Sequence, residues 1–244
     1  MALRSRENYE SGYDGAVRLV LCYHKVGSES VEGRWINVAP DTLRKHISFF
    51  LRRGYGVLPA SEIGGTGVDR AIAVTFDDGF VSMLENGLPV LEELKVPATI
   101  YAVSECVGGG ANWEGNSGEP LADWSALRNA QQMGMEIGNH TATHMSFLNL
   151  DQAGQVDEIS RCHKRLVDEG LEPKTFCLPY GHYTSFSSKA IAEAGYETGF
   201  TVEKRWVSDR DDRRLLPRFA MSYGDAVPGL LYKLFIRPRI QGQH

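Results

Sequence analysis

A chain of 244 residues with 42% hydrophobic and 23% charged side chains can bury a sizeable core and fits one domain. Its net charge of −5 excludes the basic footprint of a nucleic-acid-binding surface. No apolar run of about 18 residues exists to make a spanning helix, and Cys22, Cys106, Cys162 and Cys177 include no CxxC pair, so buried reduced thiols are expected rather than disulfides.

The opening MALRSRENYESGYDG is polar and lacks the apolar region of a signal peptide. The expected location is the cytoplasm, or outside it if an export segment has been trimmed. Residues 1–16 are read as a flexible tail, 17–236 as one domain and 237–244 as a second tail. Short apolar, β-branched runs predict strands at 17–23, 57–59, 71–76, 98–103, 135–139, 175–178, 198–202 and 217–221. Between the first two, Leu43, Ile47, Phe50 and Leu51 share one face of a helix that Asp41 can cap and Gly54 can stop. A second helix is expected from Phe80 to Leu94. Residues 104–123, rich in Gly, Asn and Glu, read as a long loop of the kind that carries function. A third helix follows Asp151, with Val156, Ile159, Leu166 and Val167 at helical spacing, and a fourth spans Ser187 to Ala194. GLLYKLFIRPR at 229–239 reads as a covering helix plus tail, or as a segment for a membrane surface. Strand and helix in alternation predict an α/β fold around a parallel sheet, and seven or eight such units predict a closed or nearly closed barrel.

Polar residues cluster where predicted strands end, the rim on which parallel barrels build active sites. His24 follows the first strand, Asp77 and Asp78 follow AVTF, His140 and His144 follow MEIGN, and Pro179 and Tyr180 follow TFCL. Two adjacent carboxylates resist burial unless something neutralises them. HTATH at 140–144 sets two imidazoles four residues apart, which on a helical turn share one face. Two histidines and one aspartate make a three-ligand N/O set, the pattern of a catalytic rather than a structural metal. Zn2+ is the default ion, and Co2+, Ni2+ or Fe2+ would accept the same donors. Thr141 stands where HExxH metalloproteases carry Glu. Taken by itself, DDG also suits a turn in which one Asp caps the following helix.

TFDDG at 75–79, HTATH at 140–144 and FCLPYG at 176–181, in that order, resemble the successive motifs of polysaccharide deacetylases of the NodB-homology type, and the likeness runs from about Val17 to Met221. The resemblance implies an irregular (β/α) barrel of seven or eight parallel strands. It also implies metal-dependent hydrolysis of the N-acetyl amide of an amino sugar or glycan, releasing acetate, with a metal-bound water as nucleophile. Carried over, Asp77 is the general base, Asp78, His140 and His144 the metal ligands, and the backbone N–H of Tyr180 an oxyanion donor.

Two positions depart from that pattern. Many relatives carry Arg after the Phe of the third motif, where this chain has Cys177. A subgroup resembling the poly-N-acetylglucosamine deacetylases reads F-x-x-P-Y-G, as here, and Arg218 is the candidate to supply the missing charge. The usual C-terminal histidine acid is also absent, because only His244 follows Arg218. In a closed barrel the first strand neighbours the last, so His24 is assigned as general acid. Trp113 and Trp124 flank the long loop as packing residues or sugar platforms, and His46 and His163 read as surface or groove residues. Other readings stay open: a deformylase or amidase acting on a lipid-linked or free sugar, a glycosidase pairing Asp77 with Glu105 or Glu136, or a metal-holding binding module.

Overall fold

The longest ladder of the computed structural model joins residues 17–23 to residues 70–76, in parallel and in register from Val17–Arg70 to Tyr23–Phe76. The structure describes residues 17–65, 70–113 and 118–236, so both expected tails lie outside the described residues. The strands are β1 (Val17–Tyr23), β2 (Lys25–Val26), β3 (Asn37–Val38), β4 (Gly56–Leu58), β5 (Arg70–Phe76), β6 (Thr99–Ala102), β7 (Glu136–Asn139), β8 (Phe176–Cys177), β9 (Gly199–Phe200) and β10 (Phe219–Ala220). The helices are α1 (Glu29–Glu32), α2 (Pro40–Leu51), α3 (Val81–Asn86), α4 (Leu88–Leu94), α5 (Trp124–Gln132), α6 (Gln152–Asp168), α7 (Ser187–Glu193) and α8 (Val227–Leu231).

All eight predicted strands are present, and they form one parallel sheet in the order β10-β1-β5-β6-β7-β8-β9, with β4 beside the first half of β5. The sheet curls into an irregular (β/α) barrel. Phe200 of β9 bridges Leu216, just upstream of β10, and Phe219 of β10 pairs with Leu21 of β1, so both ends of the sheet meet on one segment. Side chains alternate across each strand. Leu19, Leu21, Ile72, Val74 and Phe76 face outward into the layer shared with the helices. Val20, Ala71, Ala73, Tyr101 and Phe200 form the inner layer. Both faces of the sheet are covered, which is why β1 and β5 read as continuous apolar runs.

The helices correct several expectations. Ala39, not Asp41, is the N-cap of α2; Pro40 opens the helix with a preset φ, and Asp41 sits in the first turn paired with Arg44. The expected 80–94 helix is two, divided at Gly87, with Pro89 in the first turn of α4. Neither Asp77 nor Asp78 caps α3, whose N-cap is Phe80. Asp151 does cap α6, accepting from the Gly154 N–H at 2.8 Å. The polar helix α5 was not expected; Asp123 caps it through the Ala126 N–H at 2.7 Å. His46 is fully buried, taking the Tyr23 hydroxyl on Nδ1 at 3.0 Å and facing the Asp225 carbonyl with Nε2. His163 is partly buried against the Tyr196 hydroxyl. The four cysteines are free, with Cys22, Cys162 and Cys177 buried and Cys106 half-buried. Among the described residues no helix is long and apolar enough to cross a membrane.

Candidate active site

The alternation that turns Ala71 and Ala73 inward continues through Thr75 to Asp77, and on β1 through Val20 and Cys22 to His24. Asp77 therefore ends β5 inside the barrel mouth, where it is 3% exposed. Arg218, one residue ahead of β10 and fully buried, reaches it from within. Its Nη1 donates to Asp77 Oδ1 and its Nη2 to Asp77 Oδ2, both at 2.7 Å, a bidentate fork. The rest of the guanidinium is spent on Thr75 Oγ1 at 3.0 Å, the Thr201 carbonyl at 2.9 Å and Cys177 Sγ at 2.8 Å. Burial alone would raise the Asp77 carboxyl; the Arg218 charge outweighs it and holds the group well below the usual carboxylate range. The short Cys177 side chain thus stands where the arginine of other family-like sequences is expected, and leaves room for a guanidinium arriving from the last strand.

Asp78, whose backbone is left-handed with φ 71, engages the two histidines instead. Its Oδ1 lies 3.4 Å from His140 Nε2 and 3.2 Å from His144 Nε2. The two imidazoles do not share a helical face, as the spacing suggested. Residues 140–144 form a loop in which Thr141 (φ 70) and His144 (φ 62) are both left-handed, a conformation costly for non-glycine residues. Every backbone N–H of the loop has an acceptor that holds this shape. His140 donates to the Ala102 carbonyl, Thr141 to Asn139 Oδ1, Ala142 to the Glu158 carbonyl, Thr143 to Glu158 Oε2 and His144 to Thr141 Oγ1. His140 Nδ1 is paired with the Cys177 carbonyl at 2.8 Å, which leaves Nε2 aimed at Asp78.

These three residues fit a divalent cation. Asp78 Oδ1 is buried and no hydrogen bond satisfies it, although two imidazole nitrogens stand close by. Donor atoms at about 2.1 Å from a tetrahedral ion stand roughly 3.4 Å apart, the spacing seen between Asp78 and each histidine. The third pair is also close, since all three donor atoms lie within 4.8 Å of one another.

His24 Nε2 lies 4.0 Å from Asp77 Oδ2, and burial lowers the imidazole against the opposing pull of Asp78 and Asp77. Tyr180 occupies the turn after β8 with φ 58, its ring packed edge-on to His144 at 4.7 Å. Trp113 stacks on the His144 ring at 4.1 Å, so it walls the site. Trp124 opens α5 under the Arg165 guanidinium. Both glutamates of the two-carboxylate glycosidase pairing are engaged elsewhere. Glu136 begins β7 at the opposite end of the barrel, bound to Ser61 and Thr99, and Glu105 is paired with Arg161. Sequence reasoning missed Thr75, Asn139 and Glu158. Strand parity could have found Thr75; nothing local marks Glu158, fifteen residues downstream of the loop position it holds.

A family model described as polysaccharide deacetylase matches residues 64–199. YxkH of Bacillus subtilis (strain 168) is 24% identical over 213 residues, spanning 84% of this chain and 71% of its own length. The poly-beta-1,6-N-acetyl-D-glucosamine N-deacetylase of Escherichia coli (strain K12) is 21% identical over 226 residues, covering 76% of this chain and 34% of that enzyme, so the chain spans about a third of that relative. Among solved structures, the Streptococcus pyogenes deacetylase PplD in complex with acetate superposes with a TM-score of 0.76 at 19% identity, covering 90% of this chain and 98% of that one. At that identity the likeness speaks for the fold.

Proposed function

The chain belongs to the polysaccharide deacetylase family, and from that premise we propose that it hydrolyses the N-acetyl amide of an N-acetylated amino sugar within a glycan, releasing acetate, and that it does so with a divalent metal. The observation that carries the reading is the convergence of Asp78, His140 and His144 beside an ionised, arginine-paired Asp77. The substrate class is taken from the E. coli relative, whose name specifies a poly-N-acetylglucosamine.

Asp78, His140 and His144 would hold the ion, with Zn2+ suited to their imidazole and carboxylate donors. Such an ion, when bound, supplies a Lewis acid that makes water acidic near neutral pH and polarises an acyl oxygen. Asp77 takes the proton of the attacking water. It is ready to do so because Arg218 keeps it ionised and fixes its plane through both oxygens. His24 passes a proton to the departing amine, a step typically worth about 10²–10⁴ in rate; its Nε2 lies 4.0 Å from Asp77 Oδ2, so acid and base stand close together in the barrel mouth. The backbone N–H of Tyr180 supports the developing oxyanion, a contribution typically worth about 10²–10³ in rate.

The test is acetate release from β-1,6-linked N-acetylglucosamine oligomers by the purified protein. Release should vanish on chelation, return with Zn2+ or Co2+, and fail to return in Asp78→Asn. Full activity in excess chelator would overturn the metal dependence. Turnover of N-formyl or lipid-linked sugars, with no acetate from any glycan, would move the assignment to a deformylase or small-sugar amidase.

A further inference from the structure

Glu158 is a carboxylate on the core-facing side of α6, 5% exposed, where an unpaired charge would be costly. Its neighbours Ile159 and Cys162 are fully buried, so packing alone favours an apolar residue on this face. What Glu158 touches is the loop that carries both histidines. Oε2 accepts the Thr143 backbone N–H at 2.9 Å and Oε1 accepts the Thr143 hydroxyl at 2.9 Å. The Glu158 backbone carbonyl takes the Ala142 N–H at 3.1 Å. Arg161, one turn on, donates Nη2 to Glu158 Oε1 at 2.7 Å and also pairs with Glu105. Glu105 in turn sends its backbone N–H to the Ala142 carbonyl at 2.9 Å. The loop is therefore gripped from both sides by one charged chain running Glu105–Arg161–Glu158.

From this geometry we infer that Glu158 is a positioning residue for the metal set: it locks Thr143 so that the left-handed residues on either side, Thr141 and His144, aim both imidazoles at Asp78. The inference rests on reading Asp78, His140 and His144 as metal ligands. A carboxylate suits the task better than an amide, because all three of its side-chain partners donate and a glutamine would turn an N–H towards one of them. The platform is anchored in the core by Ile159, Cys162 and Leu166, which share the buried face of α6 with Glu158. Groups that hold a ligating loop in this way typically govern metal affinity by about 10–100-fold.

Cobalt(II) is the probe, since its visible absorption reports both affinity and coordination geometry without substrate. Glu158→Ala should weaken Co2+ binding by about 10–100-fold and alter the bound-ion spectrum, and Glu158→Gln, which keeps one acceptor, should recover part of the affinity. Gln155→Ala is the control for a merely structural loss. Gln155 is also buried on α6, but its side chain serves Thr184 and Ser187, away from the loop. That variant should lose thermal stability and keep wild-type Co2+ affinity. Wild-type affinity and spectrum in folded Glu158→Ala, with His144→Ala abolishing binding, would overturn the inference while leaving the metal reading intact. An unaltered chain that binds no cobalt, or a His144→Ala variant that binds it fully, would overturn the metal reading and this inference with it.

Discussion

Replacing Arg218 with methionine removes the cation but keeps most of the side-chain volume. The guanidinium donates five hydrogen bonds, two of them to a carboxylate that is almost fully buried, so its loss leaves Asp77 charged and uncompensated. Breaking a buried pair from one side costs about 3–5 kcal/mol, against roughly 0–1 kcal/mol for a surface pair. For a chain of this length that corresponds to a fall in Tm of about 6–10 °C. Denaturant unfolding in the presence of chelator, which prevents a bound ion from standing in for the arginine, measures it directly. The pH dependence carries a definite sign. The folded carboxyl of Asp77 sits below its unfolded value, so the pair stabilises above pH ~4 and loses that contribution as pH falls through the folded pKa. The deficit of Arg218→Met should thus be full at neutral pH and shrink in acid. Arg218→Met combined with Asp77→Asn, which removes both charges, should recover much of the loss. A cost below about 1 kcal/mol at pH 7, or a deficit that does not shrink in acid, would refute the claim that this pair is a desolvated, tightly coupled unit.

Asp151→Ala should cost about 0.5–2 kcal/mol by orphaning the Gly154 N–H at the start of α6, with deacetylase turnover retained; thermal melts and acetate release at one temperature check both halves. His46 predicts a second pH effect. Burial holds its imidazole below the ordinary value, so the unfolded chain takes up the proton first and stability falls as pH drops below about 6.5. In His46→Gln, melting at pH 8 and pH 5.5 should show a smaller acid loss than in the unaltered chain. An equal loss in both would mean that the histidine is charged in the fold.

How much of this was legible beforehand follows from which interactions are local. Strands β1 and β5 were readable because both faces are covered, which writes the strand as an unbroken apolar run, and the Asp pair and the two histidines were readable because they lie directly after such runs. Helix α5 was not legible: in nine residues its core face is only Trp124, Ala126, Leu127 and Ala130, too short a pattern to stand out, and its start is set by the Asp123 cap. The burial of His46 depends on partners far along the chain, which no local window contains, whereas the break at Gly87 was there to be read in the neighbouring Pro89.

Composition and periodicity by themselves determined a parallel α/β barrel whose rim carries Asp77, Asp78, His140 and His144, because strand alternation and apolar runs are properties of consecutive residues. The resemblance could only nominate Arg218; the tertiary structure decided that it meets Asp77 across 141 positions, and that a loop rather than a helical turn presents the two imidazoles. It alone decided, too, that a glutamate on α6 grips that loop. Those outcomes depend on which strands close the ring and on the depth of charge burial, and both are fixed only when distant segments of chain pack together.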